Sequence, residues 1–204
     1  MSLLLETIKI ENGKLLNMVF HNWRFNQARR ELFNLPEIDL EQVISIPDDL
    51  ANITYRCRVL YDQTIQKVEF IPYQTRSIQS LRLVYDDIIN YAYKYANRTH
   101  LNELFKKRGN ADEIIIVKKG LITDCTIGNL VFYDGEKWLT PEQPLLAGTQ
   151  RQKLLSEGQI KQAKITEKDL SNYQKVGIIN AFYLLDNMPS LPINKINNLT
   201  KPTP

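Results

Sequence analysis

Lys94 stands in "YKYANRTHLNEL", residues 93–104, where Leu101, Leu104 and then Phe105 recur at helical spacing behind it. The pattern predicts an amphipathic helix with the lysine at its start and the polar turn "KKRGNAD" at its end. A positive charge there opposes the helix dipole, so the position is mildly unfavourable unless the amine is uncharged or has other work. Two other stretches suit an anion. In "GTQRQKLL", Gly148 lets the backbone come close to a negative group, and the N–H groups of Thr149 and Gln150 open a helix. In "HNWRF", Arg24 carries a guanidinium that can give two parallel hydrogen bonds to phosphate oxygens. Taken singly, each has an ordinary reading: a surface lysine, a common helix start, a helix-surface arginine.

The elements that must position these groups follow from local pattern. "LLLETIKIENGKLLNMVF" reads as a hairpin, with Asn12-Gly13 supplying the tight turn. "HNWRFNQARRELFN" reads as a helix burying Phe25, Ala28, Leu32 and Phe33, with Arg24 at the edge of that face. A second hairpin is expected in "ITYRCRVLYDQTIQKVEFIPY", a polar connection in "QTRSIQS", and a strand in "LRLVY". Strands are expected again in "EIIIVKKGLITD", "NLVFYDGEKWLT" and "VGIINAFYLL", with a helix in "GTQRQKLLSEGQI". Local hairpins with intervening helices predict an α+β fold with largely antiparallel sheets. The domain boundary is placed at 76/77, giving a small domain over 1–76 and a larger one over 77–204.

At 204 residues, 43% hydrophobic and 24% charged, the composition is that of a soluble globular chain. A net charge of +3 is too small to imply a polyanion partner, and the basic clusters "QARREL" and "FKKRGN" read as solvated surface, so no nucleic acid is expected. Cys57 and Cys125 fit neither a zinc site nor a disulfide framework, and with two histidines no metal is expected. No apolar run reaches membrane-spanning length, and the run in "MSLLLETIKI" is too short for a signal peptide, so a cytoplasmic protein is expected. The tail "LTKPTP" is expected to fray.

Four stretches in order, "FHNWRF", "KYANR", "LITDCTIGNLVFYDG" and "PLLAGTQRQKLL", resemble the signature of the class IV aminotransferases, over residues 5 to 195 or so. These are the pyridoxal-phosphate enzymes that include branched-chain and D-amino acid aminotransferases and 4-amino-4-deoxychorismate lyase. The resemblance implies a two-domain D-amino acid aminotransferase-like fold, with a small N-terminal α/β sandwich and a larger C-terminal domain containing a barrel-like sheet. It implies pyridoxal 5'-phosphate as cofactor, a small-molecule amino substrate and a homodimer. Lys94 matches the lysine that forms the Schiff base and moves the proton on the substrate carbon. Arg24 matches the phosphate-contacting arginine. Thr149 and Gln150 match a second phosphate contact, and the backbone amides of Ile127 and Gly128 a third. Asp124 stands where the family places a glutamate paired with the pyridine nitrogen, which keeps the ring an electron sink. It preserves the charge but is shorter by one methylene, roughly 1.5 Å.

The chain departs from the family in two further places. It starts almost at the segment matching "LETIKI", without the preceding strands and "GDG"-like turn. A tight hairpin, "DQTIQKVEF", replaces a glycine- and arginine-containing loop that helps receive substrate carboxylates in many relatives. Arg58, Arg76 and Arg98 are the available substitutes. The resemblance of "KYANR" and "NADEIII…TDCTIGNL" is nearest the lyase branch, which predicts 4-amino-4-deoxychorismate lyase chemistry giving 4-aminobenzoate and pyruvate. The alternatives are an amino acid transaminase and a non-catalytic relative serving as an interaction module.

Overall fold

The computed structural model describes residues 2–50 and 52–198, so the tail "LTKPTP" lies outside the described residues. The chain forms two compact units, Met1–Thr75 with Tyr93–Asn97, and Arg76–Ala92 with Arg98–Pro204.

The first unit begins with strand β1 (Leu4–Glu11) turning into β2 (Lys14–Leu15). Asn12 and Gly13 both take positive φ, 50° and 70°, the geometry that a two-residue hairpin turn of this hand requires. The second arm is shorter than expected, because "MVF" already belongs to helix α1 (Met18–Phe33). Left-handed asparagines, Asn17 and Asn34, flank α1 at its two ends. A short helix α2 (Leu40–Val43) leads to the hairpin of β3 (Tyr55–Tyr61) and β4 (Ile65–Pro72). The sheet is antiparallel throughout, in the order β2-β1-β3-β4. Its core holds Leu4, Ile8, Phe25, Ala28, Leu40, Cys57, Val59 and Tyr61. Leu32 is a correction to the expected buried face, being 39% exposed, whereas Phe33 is partly buried and packs against this core as expected. In the last turn of α1, Leu32 and Phe33 line a surface pocket with Ser2, Gln63 and Tyr95.

The segment 93–97 belongs to the first unit for a backbone reason. β2 covers β1 only at Ile10 and Glu11, leaving the start of that edge without a strand. Leu5 N–H donates to the Lys94 carbonyl (2.9 Å), Ala96 N–H donates to the Leu3 carbonyl (2.9 Å), and Leu4 bridges Tyr95.

The second unit contains β5 (Leu81–Tyr85), α3 (Thr99–Lys106), β6 (Glu113–Lys118), β7 (Leu121–Ile122), β8 (Asn129–Tyr133) and β9 (Trp138–Pro141). It continues with α4 (Thr149–Ser156), β10 (Ile160–Ala163), β11 (Lys175–Ile179), β12 (Ser190–Pro192) and β13 (Ile196–Asn197). One sheet runs β10-β9-β8-β11-β12 and the other β13-β5-β6-β7. The fold is mixed α+β as expected, but the sheets of this unit are less antiparallel than the hairpin pattern suggested. β5–β6, β13–β5 and β9–β10 are parallel. Parallel neighbours need a crossover, and α3 and α4 lie in the connections of two of these pairs. "VGIINAFYLL" is strand only to Ile179, because the Asn180 side chain accepts the N–H groups of Phe182 and Tyr183 and turns the chain. The core gathers residues from both sheets, among them Leu83, Ile115, Leu130, Phe132, Leu154 and Ile178. No helix of the described residues is long and apolar enough to cross a membrane.

Phe25 is fully buried with its ring centroid 4.5 Å from that of Tyr61. Phe25→Ala is expected to cost about 3–5 kcal/mol in urea unfolding, and Leu32→Ala, seven residues further along the same helix, less than about 1 kcal/mol.

Candidate active site

Helix α1 places His21 and Arg24 three residues apart, hence on one face, opposite Glu6 of β1. Arg24 donates to both oxygens of Glu6, Nε to Oε1 at 2.8 Å and Nη2 to Oε2 at 2.6 Å, and His21 Nδ1 lies 2.7 Å from Oε2. Glu6 and His21 have no exposed surface, and Arg24 has little. Burial alone would raise the Glu6 carboxyl, but the Arg24 charge and the hydrogen bonds from His21 and Arg24 outweigh it and hold it at about 2. Glu6 is therefore ionised at neutral pH, and Nδ1 of His21 is the protonated nitrogen that donates to it. The imidazole is pushed below its ordinary value, by burial first and then by the charges of Arg24 and Lys94, against the pull of Glu6. The pair with Glu6 uses one edge of the guanidinium fork and orients the rest of it.

Lys94 sits in the segment that extends the β1 edge, with its carbonyl fixed by Leu5. Helix α3 begins only at Thr99, in the other unit, so the expected helix-start position of Lys94 is corrected. What bears on Lys94 is the first unit's buried cluster: its charge acts on His21 alongside that of Arg24. Two of the residues singled out from sequence, Arg24 and Lys94, thus belong to one electrostatic neighbourhood.

The other five lie in the second unit. Asp124 follows β7, with its backbone held by Ile116 N–H (2.8 Å). Its Oδ1 accepts from Asn129 Nδ2 (2.8 Å) and its Oδ2 from Leu146 N–H (2.9 Å). Burial raises the carboxyl to about 6, against the lowering effect of Leu146, Asn129 and the Arg151 charge. Each oxygen retains capacity for a second donor. Asn129 Nδ2 also donates to the Leu146 carbonyl (2.9 Å), and its Oδ1 would stand 2.0 Å from a Cβ built on Gly148. Gly148 is extended (φ −68°, ψ 142°) and opens α4 with no side-chain cap, and Thr149 and Gln150 behind it are buried. At Gly128 a Cβ would meet the Ile179 carbonyl at 2.4 Å, so strand β11 dictates glycine there. The turn is closed by Cys125 N–H on the Gly128 carbonyl (3.1 Å), and Asn180 Nδ2 holds the Ile127 carbonyl (3.0 Å). Asp124, the Ile127–Gly128 turn and the start of α4 are thus tied together.

The three arginines considered for carboxylates have different fates. Arg58 pairs across strands with Glu69 (2.8 Å). Arg98 donates to the Thr126 carbonyl (2.5 Å), and Arg76 stacks over Phe105 with its Nη1 4.0 Å from Glu113. Sequence reasoning missed Glu6, His21, Asn129 and Arg151. Glu6 had a signal, a lone acid in the apolar run "LLLETIKI", and so did the His21–Arg24 spacing. Asn129 and Arg151 had none, since their roles come from what the folded chain sets beside them.

Because the Glu6 carboxyl falls from 4.5 to about 2 on folding, it contributes stability above pH 4.5 that is lost as pH falls toward 2. The full effect is about 3 kcal/mol. Urea unfolding is expected to lose about 2 kcal/mol of this between pH 6 and pH 3, and Glu6→Gln to start less stable and vary less between the two.

The amino-transferase class IV family model matches residues 92–192. An uncharacterized protein of Haemophilus influenzae Rd is 41% identical over 181 residues, covering 87% of this chain and 96% of that protein. The crystal structure of a candidate 4-amino-4-deoxychorismate lyase from Haemophilus somnus 129pt is 34% identical with a TM-score of 0.82, over 90% of this chain and 98% of that one. A candidate aminodeoxychorismate lyase of Schizosaccharomyces pombe is 34% identical over 76 residues, 35% of this chain and 33% of that protein. The ordered motifs, the mixed α+β architecture and these similarities over nearly the whole chain establish that it belongs to the class IV aminotransferase family.

Proposed function

We propose that this chain is a pyridoxal 5'-phosphate enzyme that cleaves 4-amino-4-deoxychorismate to 4-aminobenzoate and pyruvate. The observation that carries the cofactor reading is the setting of Asp124, a buried carboxylate with two chain donors and spare acceptor capacity, tied through Asn129 to an uncapped helix start. The residues fit the group. Arg24 offers an oriented guanidinium for the phosphate and the N–H groups of Thr149 and Gln150 offer a helix N-terminus, whereas the N–H groups of Ile127 and Gly128, expected as a third contact, are directed at the Cys125 sulfur. Lys94 offers the amine. The lyase reading is supported by the similarity to the candidate lyases above.

When bound, pyridoxal 5'-phosphate supplies an aldehyde that condenses with amines and a ring that accepts electrons. Asp124 would hold a proton at the pyridine nitrogen, since a charged carboxylate set beside that nitrogen would favour its protonated form. Glu6 keeps the Arg24 fork directed, so that the anion meets a fixed donor. Lys94 would be the residue that holds the aldehyde and, once its amine is free, the base placed to take the proton from the carbon bearing the substrate amine. Loss of pyruvate from that substrate makes the remaining ring aromatic, which drives the reaction forward.

Purified enzyme mixed with 4-amino-4-deoxychorismate, without any keto acid, is expected to release 4-aminobenzoate and pyruvate over many turnovers. Borohydride reduction is expected to place a pyridoxyl group on Lys94, and Lys94→Ala to abolish turnover. Conversion of one equivalent of an L- or D-amino acid per site, with a keto acid needed to continue, would make the protein a transaminase instead. Asp124→Asn is expected to retain cofactor but lose about 10²-fold or more in kcat, since a neutral amide cannot hold the pyridine proton. Unchanged kcat in that variant would remove Asp124 from the mechanism.

A further inference from the structure

His21 has no exposed surface, and its two ring nitrogens are in unequal positions. Nδ1 is committed to Glu6 at 2.7 Å, whereas Nε2 is buried without a hydrogen-bond partner among the described residues. A buried polar atom left in this way is costly unless some state of the protein uses it. The charged and titratable groups around the ring come from three places: Glu6 on β1, Arg24 on α1, and Lys94 on the segment 93–97. Tyr61 on β3 also faces the cluster, but burial first and then the Glu6 charge keep its hydroxyl protonated. The Arg29 charge reaches Tyr61, while its guanidinium is spent on the carbonyls of Pro36 and Gln63. With Glu6 negative and Arg24 and Lys94 positive, the two cations oppose a further charge on His21.

A phosphate ester reverses that balance. It carries between one and a half and two negative charges at neutral pH, by the ordinary second phosphate ionisation of about 6. Condensation of Lys94 with the aldehyde releases water and the ammonium proton to solvent, and a neutral imine then stands where one of the two opposing cations was. Any proton that then arrives must go to Nε2, because Nδ1 already carries one. We propose that His21 takes up a proton from solvent at Nε2 when a phosphate-bearing aldehyde is bound at Arg24 and Lys94, so that the Glu6–His21–Arg24 cluster meets the anion with two cations instead of one. The proposal rests on the cofactor reading above and adds a residue and a proton to it. No protein bond is broken: the Nδ1–H donation to Glu6 is kept, and an imidazolium replaces an imidazole.

The test uses the full chain and pyridoxal 5'-phosphate, followed by nitrogen-15 NMR of the imidazoles at pH 8. The chain has two histidines, His21 and His100, and His100 is exposed and paired with Asp86, so it serves as an internal reference. In the empty protein His21 is expected to show one protonated and one bare nitrogen, and in the bound protein two protonated nitrogens, with His100 unchanged. Calorimetric titration in two buffers of different protonation enthalpy is expected to count about one more proton taken up by the wild type than by His21→Asn. The asparagine amide nitrogen can still donate to Glu6 but has no basic site. The advantage of wild type over variant in binding is expected to shrink by up to about tenfold per pH unit as His21 loses its proton. If pyridoxal 5'-phosphate attaches to Lys94 while Nε2 stays bare and the two proteins take up equal numbers of protons, the proposal is overturned and the cofactor reading stands. If the wild type binds no pyridoxal 5'-phosphate, both are overturned.

Discussion

A carboxylate with no access to solvent has to be met by charge, and in the first unit that requirement falls on Glu6. An unpaired ion in such a place costs several kcal/mol even after the protein relaxes around it. The chain meets it with a forked guanidinium and an imidazole three residues apart on one helix. This fixes the rotation of α1 over the sheet, because turning the helix by one residue would take both donors away. It also sets the side on which Phe25 meets Tyr61. The same pairing leaves Arg24 directed rather than mobile, so a contact that orders the core also prepares a donor.

The second unit solves its positioning problem with backbone instead of charge. Two glycines stand where other chain atoms leave no room for a Cβ, Gly128 against the Ile179 carbonyl and Gly148 against the Asn129 amide oxygen. Asn129 joins these features, giving one amide nitrogen to both Asp124 and the Leu146 carbonyl. Asp124 is thus located by hydrogen bonds to a strand residue and to the approach of α4. One donor on each carboxylate oxygen fixes the side chain, and each oxygen keeps a second acceptor position.

The connection from β5 to α3 has two roles. It leads toward the helix that precedes β6, and on the way residues 93–97 extend the edge of β1. That edge is open because β2 is only two residues long. An edge without a strand presents unpaired N–H and C=O groups, and Lys94 occupies the backbone that satisfies them.

Much of this was legible in the sequence. Asn12-Gly13 announced its hairpin, the alternation in "YRCRVLY" its strand, and the helical spacing of Leu101 and Leu104 their burial, because each depends on residues a few positions apart. The four ordered motifs were legible for the same reason, being short local strings whose residue types limit the chemistry. What local pattern could not determine was where Lys94 lies, since a helix-start position and a strand-edge position share the same neighbours in sequence. Nor could it show that Leu32 is exposed, that three strand pairs are parallel, or that Glu6, Asn129 and Arg151 matter. Those facts depend on contacts between residues far apart in sequence, such as Glu6 with Arg24 or Asp124 with Leu146, and such contacts exist only once hydrogen bonding and burial have brought the distant segments together.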